Sequence, residues 1–248
     1  IHHTVFEGNA AEAKTLIPTI EAVLKRYPIK RVVLVADRGL LSLDNLDEIR
    51  KIRIGEEPLE FILAVPARRY GDFDTLLSNF HESSCLDASE EVFQEFEWKG
   101  YRLVVAHRPD MAEELKNKRA EKIQALEDDA QRWASKLDHQ DTGKTYRGRK
   151  LSDAGVTARL FKAVGDAHLG HIIKVDMASE LFNYHIDEKT LHRAELLDGK
   201  LILVTNMPDH TPEQIVKRYK ALADIERGFR VLKSEIEIAP VFHRRPDR

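Results

Sequence analysis

Among 248 residues there is a single cysteine, Cys85, which excludes an intramolecular disulfide framework and a four-cysteine zinc site and fits a reducing compartment. No apolar run approaches the ~20 residues that a membrane-spanning helix needs, so no membrane partner is expected. Neither sign of charge dominates: 39 Lys+Arg against 42 Asp+Glu leave a formal net charge of −3. Any nucleic-acid surface must therefore be a local patch and not a global basic field. An initiator Met and a signal-peptide pattern are also lacking, and Ile1-His2-His3-Thr4 reads as a cut end. What remains, 42% hydrophobic and 33% charged residues, suits one large or two modest globular domains and excludes a disordered or fibrous protein.

From Ala10 to Arg26 the residues Ala13, Leu16, Ile17, Ile20, Val23 and Leu24 recur three and four apart, which predicts an amphipathic helix ended by Pro28. Val32-Val33-Leu34-Val35-Ala36 follows as a continuous apolar run, the mark of a strand buried on both faces in a parallel sheet. Ser42 is placed to cap a helix over Leu43 to Ile52, and Phe61-Ile62-Leu63-Ala64-Val65, closed by Pro66, is a second buried strand. Strand, helix, strand implies a right-handed crossover and an α/β core over residues 1–66.

After Pro66 the texture changes. Residues 82–97 hold six acids and no base, and a hairpin is expected from Val92 to Ala106 around Lys99-Gly100. Ile123, Leu126, Ala130, Trp133 and Leu137 predict one sticky stripe on a long charged helix from Met111 to Leu137. Further strands are expected near Gly170 to Asp176, Leu181 to Ile186 and Leu201 to Thr205, with Asp198-Gly199 as a hairpin turn. Residues 67–207 thus read as a mixed α+β, β-rich insert, and 208–248 as a helical return to the core, its period running from Thr211 to about Lys233.

Asp37 stands just past the C-terminal end of a buried parallel strand, where open α/β sheets place their ligands. Taken alone it reads first as a helix cap or as a partner of Arg38. On a helical wheel Ile215, Tyr219, Leu222 and Phe229 fall within about 80° of one another, and Glu226 lies inside that arc. A buried, unpaired carboxylate costs several kcal/mol or more, so Glu226 needs a cation: a Lys, an Arg or a metal. The alternative is a surface pair with Arg230. His168 and His171 have a spacing that can ligate a metal, but with Gly170 between them and no carboxylates nearby they read as an exposed loop. Cys85, in an acidic surface stretch, reads as unactivated. Between Thr142 and Lys162 six bases, Lys144, Arg147, Arg149, Lys150, Arg159 and Lys162, face one acid, Asp153. With Tyr146 they form either a phosphate-tracking patch or a solvated face.

Val35-Ala36-Asp37-Arg38-Gly39, with Tyr219, Glu226 and Lys233 at the spacing of a Tyr, Arg, Glu, Lys signature, resembles the DDE-type transposases of bacterial insertion sequences, in the IS-four-like superfamily. The Arg position holds Leu222, and Arg227 and Arg230 are the neighbouring sources of its charge. The Glu7-Gly8-Asn9 turn, Asp198-Gly199 with Thr205-Asn206, and Phe229 to Ser234 leading to Pro240-Val241-Phe242-His243 carry the same resemblance. It implies an RNase H-like core with an inserted domain. It also implies three carboxylates holding two Mg²⁺ ions, which Mn²⁺ can replace, for cleavage and transfer of DNA strands. Asp37 would be the second carboxylate and Glu226 the third, both metal ligands; Tyr219, Lys233, Arg230 and Arg227 would meet DNA phosphates, and Lys144, Arg147, Arg149 and Lys150 would do so from the insert. The resemblance further implies self-association on DNA and a cytoplasmic, nucleoid-associated protein.

The first carboxylate of that family lies upstream of the Gly-Asn turn, where residues 1–7 offer only Glu7, and the helix after Pro240 to His243 is missing. The chain is thus expected to be a fragment, inactive alone. Two other readings stand beside this one: a non-catalytic remnant that binds DNA or a full-length protomer, and a structural α/β module in which Glu226 is a buried ion pair.

Overall fold

The computed structural model describes residues 12–27, 32–36, 46–54, 56–142 and 150–235. Its elements run α1 (Glu12–Arg26), β1 (Val33–Ala36), α2 (Leu46–Lys51), β2 (Arg53–Ile54), β3 (Glu57–Pro58), β4 (Glu60–Ala64), α3 (Asp74–Phe80), β5 (Val92–Trp98) and β6 (Tyr101–His107). Then come α4 (Pro109–Asp141), α5 (Asp153–Asp166), β7 (Ile173–Val175), β8 (Tyr184–Ile186), α6 (Glu188–Leu197), β9 (Lys200–Thr205) and α7 (Pro212–Glu235). The chain forms two compact units: Ile1–Asp74 with Val92–Ala106 and Leu201–Arg248, and Thr75–Glu91 with His107–Lys200.

In the first unit β1 and β4 pair in parallel, Val33 opposite Glu60 and Ala36 opposite Leu63, as their continuous apolar runs require. The sheet has the order β1-β4-β9-β6-β5, with β9 antiparallel to β4. The hairpin β5–β6 and strand β9, which the sequence reading puts in the insert, therefore belong to the core sheet. The cause is burial: Leu103, Val104 and Val105 of β6 and Ile202, Leu203 and Val204 of β9 are all fully buried, which only a sheet covered on both faces provides. Side chains extend the β4–β9 ladder past its end. Thr205 Oγ1 donates to the Phe61 carbonyl at 2.7 Å, and the Asn206 amide accepts from Phe61 N–H at 2.8 Å and donates to the Leu59 carbonyl at 2.9 Å.

The start of α7 is fixed by a reciprocal cap. Thr211 Oγ1 accepts from the Gln214 amide at 3.3 Å, and Gln214 Oε1 accepts from the Thr211 amide at 3.0 Å, with Pro212 as the first helical residue. One turn in, Ile215, Val216 and Tyr219 join a cluster made by Ile62, Ala64, Val104, Leu203 and Met207, to which Val33 and Val35 of β1 also pack. Each such aliphatic side chain taken out of water contributes about 1.5–3 kcal/mol.

In the second unit the expected stripe is present: Ile123, Leu126 and Ala130 of α4 pack with Leu160 and Val164 of α5 and with Ile172 and Ile173. Three expectations are corrected. Residues 67–81, given no element by the sequence, and 82–85, read as the start of an acidic stretch, are helical: a 3₁₀ segment over Ala67–Phe73, then α3, then a π-helical turn over His81–Cys85. Their buried Tyr70, Phe73, Leu77 and Phe80 recur three and four apart. Cys85 is buried, not a surface residue, and burial is what pushes its thiol pKa up. Asp198-Gly199 is no hairpin turn but the exit of α6 into β9, Asp198 capping the helix and Gly199 taking φ 68°.

Gly199 is also a point of close approach. A Cβ there would lie 2.4 Å from the Arg108 carbonyl oxygen and 2.9 Å from Ala112 Cβ, on top of a left-handed backbone. Gly199→Ala is expected to lower stability by about 2 kcal/mol or more, read as a fall in the urea midpoint at constant slope; an unchanged midpoint contradicts this packing.

Candidate active site

The strand that delivers Asp37 is β1, and Asp37 itself lies outside the described residues. Glu226 falls within α7, two turns beyond Tyr219, and the side chains of Glu226, Arg230 and Lys233 lie outside the described residues too. The elements that carry the two carboxylates are in contact, because α7 packs against β1 as well as β4 and β5. Tyr219 is half-buried with its ring on the same cluster as Val33 and Val35, so it anchors the helix whatever its hydroxyl does. Arg227 is exposed, 3.7 Å from Asp224 Oδ1 in a pair more than three-quarters open to water. Such a pair holds its guanidinium only weakly. Of the basic patch Lys144, Arg147 and Arg149 lie outside the described residues, and Lys150 is exposed.

The other end of the same sheet has a cavity of about 390 Å³, lined by Val32, Ile54, Glu57, Pro58, Glu60, Asn206, Pro208 and Asp209. It sits where β1 and β4 begin and β9 ends, so its carboxylates are separate from the end at which Asp37 follows β1. His168 and His171 lie in exposed turns, as the sequence suggested. Among the described residues no group of three His, Cys, Asp or Glu side chains is placed to hold a metal ion.

The family described as transposase DDE domain matches residues 1–248. The chain belongs to the DDE transposases. The α/β sheet unit is accordingly the RNase H-like core of such a transposase, its partner is DNA, and the activity of the family is divalent-metal-dependent cleavage and transfer of DNA phosphodiesters during transposition. No curated protein and no solved structure matches the chain. No helix among the described residues of this transposase is long and apolar enough to cross a membrane.

Sequence reasoning missed one titratable cluster, inside the second unit of the transposase. Lys200 and His107 are almost fully buried, and Lys200 Nζ lies 3.0 Å from His81 Nδ1. The His81 and His107 rings meet edge to face at 6.2 Å, and His107 Nδ1 has no hydrogen-bond partner. Burial, then Lys200, then His81 pull the His107 pKa down to about 4, against a hydrogen bond to the Asp198 backbone that raises it. Burial and Lys200 also lower His81, and burial lowers Lys200 itself. The only sequence signal is a Lys at the first position of an otherwise apolar strand.

These residues make the second unit acid-sensitive. A histidine held below its unfolded pKa binds fewer protons in the folded chain, so stability is full above about pH 6.5 and falls as pH drops toward about 4. The His107 share of that loss is on the order of 3 kcal/mol. His107→Leu is expected to flatten denaturation midpoints between pH 6.5 and 4; the same slope with and without His107 contradicts the assignment.

Proposed function

We propose that this DDE transposase serves an insertion sequence and that Asp37 and Glu226 are two of the carboxylates that hold its divalent ions, Mg²⁺ in the cell with Mn²⁺ able to replace it. The observation that supports this most is the seating of α7 on β1: a helix bearing one carboxylate packs on the strand whose next residue is the other, across 189 residues of sequence. Carboxylate oxygens are the ligands such hard cations take. When bound, the ions supply activation of the attacking oxygen and stabilisation of the leaving oxygen in an in-line displacement at phosphorus. The chain itself holds the geometry. The Thr211–Gln214 cap and the Ile215, Val216, Tyr219 stripe set the register of α7, the helix that carries Glu226, Arg230 and Lys233.

In this reading Tyr219, Arg227, Arg230 and Lys233 meet phosphates near the cleaved bond, and Lys144, Arg147, Arg149 and Lys150 meet phosphates from the second unit. Self-association on DNA and residence with the bacterial nucleoid belong to the same proposal. In the whole protein Asp37→Asn and Glu226→Gln are each expected to lower strand cleavage by more than the roughly 100-fold that even an outer-shell partner can cost, with DNA affinity retained. Cleavage that survives either change overturns the assignment. Neutralising Lys144, Arg147, Arg149 and Lys150 together is expected to flatten the slope of log K against log salt by about 3 to 4, and an unchanged slope returns the cluster to a solvated face.

A further inference from the structure

The helix after the basic segment has an outward face that the core does not use. Val156, Thr157, Leu160 and Val164 of α5 are buried, which leaves Ala154, Ala158, Lys162 and Gly165 exposed on the outward half, with Phe161 exposed on one flank of it and Arg159 on the other. Phe161 is 57% exposed, an unusual position for a ring that a quarter turn of the helix would have buried. Neither Arg159, Lys162 nor Lys150 has an ion-pair partner among the described residues.

The acids of α5 form no ion pair with these bases. Asp153 Oδ1 accepts the Phe182 amide at 2.8 Å in the first turn of α5, and Asp166, exposed four residues past Lys162, forms no ion pair with it. The segment that leads in is tied at its base: the Gln140 side chain accepts from Leu151 N–H at 2.8 Å and donates to the Leu151 carbonyl at 3.1 Å, which holds Lys150 beside the start of α5. Ala154, Ala158 and Gly165 let a partner's backbone approach closely between the bases and the ring. A polyanion with apolar faces between its charges matches all three features, and among macromolecules that is nucleic acid.

We propose that the outward face of α5 docks DNA, with Arg159 and Lys162 on backbone phosphates and Phe161 packed against a sugar or base face. This rests on the reading of the chain as a DNA-acting transposase and assigns that activity a second-unit surface. The test is DNA affinity of the whole protein across a salt series, for the unaltered chain, Arg159→Gln with Lys162→Gln, and Phe161→Ala, all solvent-exposed changes whose melting temperature verifies folding.

Removing the two phosphate-binding charges should flatten the salt slope by about 2, whereas truncating the Phe161 ring should weaken binding several-fold with the slope unchanged. Unaltered affinity and slope in both variants, with the unaltered chain binding DNA, overturns the proposal alone. So does a Phe161→Ala protein that binds DNA normally but sediments as a smaller species, since the face would then join protein copies. If the unaltered chain binds no DNA, the underlying reading fails.

Discussion

Everything proposed for the active site depends on how α7 is held. Its reciprocal cap fixes the first turn, and Ile215, Val216 and Tyr219 fix the face that meets the sheet. With start and face both set, the register of the first turns of the helix is fixed. The sheet beneath is equally constrained. Thr205 and Asn206 tie the end of β9 to the backbone of β4, and the parallel β1–β4 register sets where β1 stops and Asp37 begins. Two carboxylates distant in sequence thus depend on a handful of packing and hydrogen-bonding contacts that involve neither of them.

The near-neutral net charge hides a strong segregation of charge. Six acids without a base occupy 82–97, and six bases face one acid between Thr142 and Lys162. If the basic segment meets DNA as proposed, the attraction is concentrated on a short stretch, which shortens the reach of its field and makes that binding salt-dependent. The buried Lys200 and His107, with half-buried His81 beside them, are the opposite case: bases taken out of water, where they favour their neutral forms and cost stability as acid is added.

Much of the core was legible from residues alone. The β1 and β4 runs, the β5–β6 hairpin, the α4 stripe and the extent of α7 follow from apolar periodicity, because burial imposes that periodicity directly. Sheet membership was not legible: β6 and β9 lie among residues whose composition resembles an insert, and only long-range pairing brings them into the core sheet. Asp198-Gly199 misled because a hairpin and a helix exit both want a glycine at positive φ, and the deciding context is α6, whose Asp187 cap accepts from the Thr190 amide. The helical stripe of Tyr70, Phe73, Leu77 and Phe80 was present but masked by Gly71 and by the acidic run downstream. For the candidate site, the sequence supplied residue types and spacing, and the structure added the contact between the elements that carry them.

The central claim is that Asp37 and Glu226 share a divalent-ion site despite their separation. Fe²⁺ loaded in place of Mg²⁺, with ascorbate and peroxide, cuts a polypeptide beside the bound ion and maps its surroundings directly. The account predicts paired cuts near residues 37 and 226, both abolished in Asp37→Asn and in Glu226→Gln. Cuts confined to other segments, or cuts at one of the two positions that persist when the other carboxylate is removed, would contradict it.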